Sequence, residues 1–530
     1  MMSARAISFF FLSVLLLLAG CAVNPVTGKR ELSLVSEAQE IQIGTENYAF
    51  MQQSGGGQYD VDPELTAYVQ GIGSKLSAVS DRSLPYEFVV LNSSVPNAWA
   101  LPGGKIAINR GLLTEMQSEA ELAAVLGHEI VHAAAKHSAR QMSRGMLLQV
   151  AVVGTASVTS DSGYSDLAIG GASVGAQLIN QSYGRDAELE SDLYGMRYMS
   201  RAGYDPQGAV ELQETFVKLS EGRDTDWLTG LFASHPPSQS RVDANKQTAR
   251  TLPAGGEYGR ERYAAAMQKT IDVMPAYEIY DEGKKALADK DHELAAEKAE
   301  EAIALFPDEA HFYGLRGDAR YLAGEYELAV RNYDIAIRRR DDFFQYHLQR
   351  GLANAELGDD EIAVSDLERS VELFPTATAY YGLGNIEAKR GNVDKAIEYY
   401  TPVAQSQGEV AEAAREKLVR LDLERNPGKY IQVGCYADSY SNLVVAVANA
   451  TSLAIEDVRF AISYRDNTGV LRTIEDVIRG PIKAGQRGDR AMGIGPYTSN
   501  SGCPVEIPVS YTHLRAHETL GSISSAVLGL

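Results

Sequence analysis

The 530-residue sequence has few cysteines, no excess of basic side chains and, beyond its N-terminus, no long apolar run. Its 49 Lys and Arg face 70 Asp and Glu, and a formal net charge of −21 argues against binding to nucleic-acid phosphates. No segment after the first twenty residues offers about twenty uninterrupted apolar residues, so we expect no membrane-spanning helix in the mature chain. The 45% apolar content is that of a globular protein, and the length suits about three domains.

With three cysteines, the chain can form one internal disulfide at most. Cys21 ends the N-terminal apolar stretch, whereas Cys435 and Cys503 lie together in one C-terminal segment. In an oxidising compartment these two residues form either a disulfide or a pair of buried free thiols, and the sequence leaves both alternatives open.

The first twenty residues have the pattern of an export signal. Arg5 supplies the positive charge, and the apolar stretch 7–18 is too short to span a bilayer comfortably. Leu18-Ala19-Gly20-Cys21 resembles the lipobox of bacterial lipoproteins, which implies cleavage before Cys21 and lipidation of that residue. Ala22 after the cysteine matches the Gram-negative pattern for sorting to the outer membrane. We therefore expect a cell-envelope protein held by lipid at the periplasmic face of the outer membrane; the alternative is a plain signal peptide.

The motif His128-Glu129-x-x-His132 is the most informative stretch of the chain. It lies in a segment of good helix formers without proline, and residues four apart share one face of a helix. Both imidazoles can therefore reach one metal ion, with Glu129 beside them as a general base toward water. The alternative is an ordinary helix with two incidental histidines, so a third ligand has to decide between them.

A second helical segment, which begins near Tyr183, supplies a candidate third ligand. Glu188 and Asp192 lie one turn apart, so Glu188 can complete a His₂Glu site for one Zn²⁺ per chain. Asp192 can bond the other ring nitrogen of a ligand histidine and fix its tautomer. A solvated acidic helix face is the alternative, because Asp186 and Glu190 are acidic too.

A 34-residue repeat follows a linker near 253–256. Small residues and prolines recur at this interval: Gly283, Gly317 and Gly351; Ala295, Ala329 and Ala363; Gly324 and Gly358; and, two periods apart, Pro307 and Pro375. A fourth unit around Gly384, Gly391 and Ala396 is one residue out of register. The pattern resembles a tetratricopeptide (TPR) array, an α-solenoid whose concave surface binds peptides or partner helices.

The C-terminal part changes character again. Strand-like segments at 443–447 and 458–464, with a turn signal at 466–469, predict a small β-sandwich. Residues 509–519, VSYTHLRAHET, match the translation of a widely used sequencing adapter. We therefore predict that the natural sequence ends or is interrupted near Pro508, and we do not consider His513 and His517 as metal ligands.

The first block resembles the HtpX-type and CAAX-prenyl-type gluzincin metallopeptidases. The matching segments are GHEIVH at 127–132, R-x-x-E-x-x-S-D at 185–192, NAWALPGG at 97–104, SHP at 234–236 and the exported start at 21–44. With the repeats, residues 22–425 resemble the exported, TPR-containing branch of β-barrel assembly-enhancing (BepA-like) proteases. Two features depart from that pattern: Ser191 replaces the more frequent Ala, and the chain continues past the repeats.

The resemblance implies a set of roles. His128, His132 and Glu188 are zinc ligands, and Glu129 is the general base. His235 is a catalytic residue that stabilises the oxyanion, a switch ligand that occupies the open position, or a structural loop histidine. Arg185 orients the acidic side chains or merely pairs with them. By helical geometry His137 is off the ligand face, and we expect it to be structural or at the surface.

Substrate contacts are expected around a predicted strand, Lys105–Asn109. If this strand is an exposed edge, it can pair with the extended backbone of an unfolded polypeptide. The predicted substrate-binding residues are Asn97, Ala98, Gly103, Gly104, Lys105 and Ile106. The small-residue segment 146–179 is either two short buried helices or a mobile flap that limits access.

The sequence therefore predicts a mainly α, zincin-type metallopeptidase domain with a small β-sheet, then an α-solenoid and a β-sandwich. The predicted boundaries are 1–20 for the signal peptide, 21–255, 273–425 and 430–508 for the three domains, and 509–519 for the adapter-like stretch. The predicted function is zinc-dependent cleavage of misfolded or stalled envelope proteins, with the repeats recruiting clients or the outer-membrane assembly machinery. The alternatives are a TPR chaperone or adaptor whose site is silent and, less favoured, a non-zinc amidase.

Overall fold

The computed structural model describes residues 21–152, 183–222 and 235–494, apart from 424, 452, 457 and 466–469, and two short pairs at 505–506 and 513–514. Most of the small-residue segment 146–179 lies outside the described residues, as do the predicted signal peptide and Cys503. The chain divides into two compact units, Met1–Gly358 with Arg369–Pro375, and Asp359–Glu368 with Thr376–Leu530. Within the described part, no helix is both long and apolar enough to cross a membrane.

The N-terminal part of the first unit combines helices with a small sheet. Its strands are β1 (Cys21–Val23), β2 (Arg30–Leu32), β3 (Glu87–Leu91), β4 (Ala98–Leu101) and β5 (Lys105–Asn109). Its helices are α1 (Glu37–Ser54), α2 (Pro63–Ser77), α3 (Arg110–Leu113), α4 (Glu119–Ala134), α5 (His137–Val152), α6 (Arg185–Arg201), α7 (Gln207–Gly222) and α8 (Gln239–Thr251).

The three-stranded sheet has the order β3-β5-β4. β5 pairs in parallel with β3 and antiparallel with β4, so Lys105–Asn109 is the central strand. The prediction that this segment is an exposed edge is therefore wrong. β4 was not predicted from the sequence. Its four apolar residues were interpreted as the connection that leads to Gly103 and Gly104. Among the described residues, β4 has a strand on one side only, and it packs against α4.

α4 is the centre of this part of the molecule. Ser118 caps its first turn by accepting a hydrogen bond from the backbone N–H of Glu121, and all of its residues are buried. α4 crosses α6 where two glycines meet, and a Cβ on Gly195 would lie 3.0 Å from backbone atoms of Gly127 and His128. Without side chains at the crossing, the two helix backbones approach closely enough to share one site.

The repeats are built from paired helices, as predicted. The helices after α8 are α9 (Arg260–Ala288), α10 (His292–Leu305), α11 (Ala310–Leu322), α12 (Tyr326–Arg339), α13 (Phe344–Leu357), α14 (Asp360–Leu373), α15 (Ala377–Lys389), α16 (Val393–Ala404), α17 (Glu409–Asp422) and the short α18 (Pro427–Tyr430). Gly317 lies against the ring of Tyr333, and Gly384 lies against Tyr400 in the same way. The periodic small residues therefore mark the helix crossings.

The C-terminal strands form two three-stranded sheets, β10-β9-β12 and β11-β7-β6, beside a short pair, β13-β8. The strands are β6 (Ile431–Ala437), β7 (Leu443–Asn449), β8 (Ile455–Glu456), β9 (Val458–Arg465), β10 (Leu471–Ile478), β11 (Arg487–Ala491), β12 (Val505–Glu506) and β13 (His513–Leu514). Val445 and Val447 of one sheet share a hydrophobic cluster with Phe460 and Ile462 of the other, which is the packing of a sandwich. Cys435 is disulfide-bonded.

Candidate metal centre

Four buried side chains converge on one point between α4, α6 and the segment that precedes α8. They are His128, His132, Glu188 and His235, and their potential ligand atoms all lie within 4.8 Å of one another. The two histidines of the HExxH motif lie on one face of α4, and Glu188 faces them from the first turn of α6. The structure therefore brings together the three predicted ligands and adds His235 as a fourth group.

The distances within the cluster suit a tetrahedral ion. Nε2 of His128 lies 3.0 Å from Nε2 of His132 and 3.3 Å from Nδ1 of His235. Oxygens of Glu188 lie 3.5 Å from Nε2 of each HExxH histidine. Zinc–nitrogen bonds of about 2.0–2.1 Å separate tetrahedral ligands by about 3.3 Å, which is close to these values.

The protonation of the two HExxH histidines supports the same interpretation. Asp192 lies 2.9 Å from Nδ1 of His128, so the proton of that ring belongs on Nδ1 and the lone pair of Nε2 faces the centre. Nδ1 of His132 has a partner of its own, His137, at 2.9 Å. Nε2 of His128 and Nε2 of His132 lie 3.0 Å apart, so one positive charge, either a proton or a metal ion, belongs between them. Three nitrogens and one carboxylate are donors that Zn²⁺ accepts readily.

The electrostatics of the cluster also favour a positive charge. Burial alone would lower the pKa of His128, but Glu188 and Asp192 raise it to about 10. Burial would raise the pKa of Glu188, yet His235 and His128 hold it well below its usual range. Burial lowers the pKa of His132, which keeps this ring neutral and able to act as a ligand.

Glu129 points into the cluster without joining it. Its Oε1 lies 3.5 Å from Nε2 of His235, and its Oε2 is buried with no hydrogen-bond partner among the described residues. A buried carboxylate oxygen without a partner is costly unless another group uses it. Burial raises the pKa of Glu129, which makes this carboxylate a stronger base. The position and the chemistry both suit the predicted general base.

Arg241 holds the acidic side chains of the centre. Arg241 donates from Nε and Nη2 to the two oxygens of Asp192, both at 2.7 Å, and its Nη1 lies 3.0 Å from Glu188. Arg185 is exposed at the start of α6, and its role toward the acidic side chains, orienting them or merely pairing with them, stays a prediction. Arg241 also donates to the carbonyl of Pro236, next to His235, and thus ties α8 to the cluster.

Sequence reasoning missed two neighbours of His132. The ring of Tyr183 lies against it at a centroid distance of 3.9 Å, while the Tyr183 hydroxyl contacts Ser138 at 2.8 Å. His137, expected to be structural or at the surface, is buried beside His132. Two residues between α4 and α5 redirect the chain, and one of them, Lys136, has a φ of 61°. On a continuous helix, the side chain of a residue five positions after His132 would point about 140° away from it. Helical periodicity therefore could not place His137 beside His132.

The predicted substrate-binding residues separate into two groups. Asn97 and Ala98 lie at the start of β4, the strand that packs against α4. Gly103 and Gly104, with φ of 80° and 88°, form the turn from β4 to β5. Lys105 forms a salt bridge with Glu87, and Ile106 is fully buried in the central strand. A role in substrate binding for these last four remains a prediction, and their contacts are those of a hairpin.

The fold and the site together define a metallopeptidase domain with an HExxH helix and a glutamate ligand, followed by a helical repeat array. Residues 63–249 match the profile of Peptidase family M48, and residues 280–342 and 348–407 match the tetratricopeptide repeat profile. The chain thus carries an M48 peptidase domain joined to TPR repeats, which confirms the resemblance inferred from the motifs.

Two curated relatives that the chain matches are described as beta-barrel assembly-enhancing proteases. The chain is 30% identical over 204 residues to the putative beta-barrel assembly-enhancing protease of Vibrio cholerae, covering 36% of this chain and 40% of that protein. It is 28% identical over 248 residues to the beta-barrel assembly-enhancing protease of Escherichia coli K12, covering 46% and 50%. The chain therefore spans half or less of the length of these relatives. Among solved structures, MamA of Desulfovibrio magneticus matches with a TM-score of 0.26 and 20% identity, covering 29% of this chain and 87% of that one.

Proposed function

We propose that this protein is a zinc-dependent endopeptidase of the bacterial cell envelope, anchored by lipid at Cys21, that cleaves misfolded or stalled envelope proteins. The observation that carries the proposal is the buried cluster of His128, His132 and Glu188 with the unpartnered oxygen of Glu129 beside it. The likeness to beta-barrel assembly-enhancing proteases supports outer-membrane proteins as the client class.

The chemistry follows from the positions of the side chains. A zinc ion held by His128, His132 and Glu188 would supply Lewis-acid activation of water and of the scissile carbonyl. Glu129, whose pKa is raised by burial, takes the proton of the attacking water and returns it to the leaving amine. Asp192 holds the ring of His128 in one tautomer throughout, because Arg241 keeps its carboxylate fixed and ionised.

A pocket next to the cluster suggests which side chains the substrate presents. It has a volume of about 40 Å³ and is lined by six apolar residues and by polar ones that include Glu129 and His235. The apolar lining comprises Ala124, Val125, Met196, Ala209, Leu212 and Phe216. A small apolar side chain beside the scissile bond fits this pocket. β4, rather than β5, is the strand positioned to pair with the backbone of an extended substrate.

The TPR repeats fit a recruiting role. Arrays of this kind bind peptides or partner helices on their concave surface, and such a surface could select clients or dock on an outer-membrane assembly machine. The second candidate function is a chaperone or adaptor with a restrained site. His235 supports that alternative, because its Nδ1 lies 3.1 Å from Glu188 and 3.3 Å from His128, where water or substrate has to enter.

The test is cleavage of casein and of an unfolded outer-membrane protein by the purified, zinc-loaded chain. The wild type should cleave, and Glu129→Gln should lose at least about 10³-fold in rate, since it cannot accept a proton. Glu297→Gln, an exposed carboxylate in the repeats, is the matched control and should cleave normally.

Equal cleavage by wild type and Glu129→Gln would contradict the assigned mechanism. In cells, an envelope defect that appears on deletion of the repeats, while Glu129→Gln is fully competent, would favour the adaptor. Client proteins captured by Glu129→Gln and identified by mass spectrometry would define the substrate class.

A further inference from the structure

His137 forms a direct link between the metal centre and the N-terminal hairpin. Its Nδ1 lies 2.9 Å from Nδ1 of His132, and its Nε2 lies 3.2 Å from Oε1 of Glu190. Both histidines are almost fully buried, with 1% and 2% of their surfaces exposed. The hydroxyl of Ser191 is a more distant neighbour of His137, at 3.5 Å.

The proton positions along this link follow from its two ends. Nε2 of His132 faces His128 and Glu188, so it is the ligand nitrogen and the ring proton lies on Nδ1. Nδ1 of His137 must then accept that proton in a hydrogen bond. The remaining proton of His137 lies on Nε2, where the carboxylate of Glu190 accepts it. Each ring is neutral in this arrangement, and each nitrogen has one partner of the right kind.

Glu190 is held in turn by the hairpin that starts at Cys21. Nδ2 of Asn24 donates to Glu190 at 3.2 Å and to Glu31 at 3.1 Å, and Asn24 is only 2% exposed. Oδ1 of Asn24 accepts from the backbone N–H of Val26 at 2.9 Å, which fixes the turn between β1 and β2. Every polar atom of the Asn24 side chain is therefore used.

The hairpin is also packed and ion-paired onto the domain. Val26 belongs to the main hydrophobic cluster, and Arg140 of α5 forms a salt bridge with Glu31. The backbone N–H of Leu34 donates to Ser143, also on α5, at 2.8 Å. These contacts make residues 21–34 part of the folded domain rather than a free tether.

We propose that the hairpin Cys21–Leu32 is a structural part of the metal centre, in which Asn24 and Glu190 orient His137 and His137 fixes the ring of His132. His137 is a positioning residue, since it acts on the metal through His132. The proposal rests on the proposed function only in taking His132 as a zinc ligand. It gives the acidic side chain of Glu190 a role that its position on a charged helix did not indicate.

The experiment measures zinc affinity of the full chain by competition with a chromophoric chelator. His137→Gln and Glu190→Gln should bind zinc about 10–100-fold more weakly than the wild type, the loss typical of a missing partner behind a histidine ligand. Asn24→Ala should show a smaller loss, about fivefold, because Glu190 stays in place. Asp186→Asn, an exposed acid one turn earlier on α6, is the matched control and should bind zinc normally.

Two further readouts separate positioning from general stability. The visible absorption of the cobalt-substituted protein should change in His137→Gln and not in Asp186→Asn. The double variant His137→Gln/Glu190→Gln should lose no more affinity than His137→Gln alone, because Glu190 acts through His137. If a variant at His137 does not fold, Asn24→Ala and Glu190→Gln decide the question.

Wild-type zinc affinity in both His137→Gln and Glu190→Gln would overturn the inference. So would strictly additive losses in the double variant, or a lower unfolding temperature of the metal-free protein with zinc affinity retained. Any of these results, with a wild type that binds zinc and cleaves, leaves the proposed function standing. A wild type that binds no zinc would instead remove the proposed function.

Discussion

His235 is the residue whose place in the centre has the clearest consequence for activity. Its Nδ1 lies among the ligand atoms, near Glu188 and His128, whereas its Nε2 lies 3.5 Å from the general base Glu129. A ring in this position closes the centre, because a catalytic zinc site needs one position open for water. The geometry therefore favours the switch-ligand role among the three that the sequence left open.

Replacing His235 with Ala should raise peptide hydrolysis. We expect the rate to rise roughly tenfold. This is the gain if the closed form of the centre is more stable than the open form by about 1.4 kcal/mol and the substitution removes that preference. The measurement is the initial rate on casein, with zinc content determined in the same samples. His292→Ala, a histidine in the repeats, is the control. A lower rate with unchanged zinc content would show instead that His235 acts directly on the substrate.

The candidate zinc ligands could be predicted from the sequence because helical spacing puts the members of each pair on one face of a helix. His128 and His132, like Glu188 and Asp192, are pairs one turn apart, and the observed helices carry them on buried faces. Arg241 and His137 could not be placed, since their positions depend on a tertiary contact and on a turn at Lys136.

At the level of elements, the crossing of α4 and α6 decides whether the ligands meet. Gly127 and Gly195 lie back to back at that crossing, with no side chain between the helices. This crossing lies next to His128, and Glu188 is two turns from Gly195 on α6. A change in helix separation here would therefore move a ligand from each helix.

Gly195→Ala should destabilise the protein and weaken zinc binding together. The added Cβ would lie 3.0 Å from backbone atoms of α4, a clash that costs about 1–3 kcal/mol when the helices shift to relieve it. Gly71→Ala is the control, because its Cβ in α2 would meet nothing within 4 Å and alanine favours helix. Thermal unfolding with and without zinc measures both effects; wild-type behaviour of Gly195→Ala would show that the helices need no close crossing.

The repeats and the sheet show where sequence patterns succeed and fail. The 34-residue interval predicted the helical pairs, because Gly317 and Gly384 make the same ring contact in their own repeats. The order of strands was not predictable, since Lys105–Asn109 is apolar enough to be central and β4 is too short to stand out. Because both strands are buried, the apolar pattern of the sequence does not show which of them lies at the edge of the sheet.

At the scale of the first compact unit, the repeats are attached to the peptidase domain through buried polar groups. Glu309, at the start of α11, accepts hydrogen bonds from Asn92 at 3.0 Å and from Tyr277. His311 contacts the carbonyl of Gly56 through Nε2 at 2.9 Å, and its Nδ1 accepts from the hydroxyl of Tyr346. A neutral imidazole satisfies both partners, whereas a protonated one would have a donor facing the tyrosine hydroxyl.

This attachment should weaken in acid. Burial lowers the pKa of His311 to about 4, below its ordinary value of 6.5, so the unfolded chain binds the extra proton first. The contribution of neutral His311 is fully present above about pH 6.5 and is lost as the pH falls toward 4, by at most roughly 3 kcal/mol. Unfolding of wild type and His311→Gln in urea between pH 4 and 7.5 should show a shallower pH dependence in the variant. Identical pH profiles would contradict this role.

A lipid on Cys21, which we propose, would leave little chain between the membrane and the folded peptidase domain. Asn24 is buried three residues after Cys21, and three extended residues span only about 10 Å. If Cys21 carries lipid, as we propose, the domain lies directly at the bilayer surface.

The metal content of the purified protein tests the central claim most directly. We predict about one zinc per chain for the wild type and for Glu129→Gln, because Glu129 lies beside the ligands and is not one of them. Glu188→Gln should retain far less zinc, since it loses the only carboxylate ligand. A wild type without zinc, or full retention by Glu188→Gln, would contradict the account of this centre.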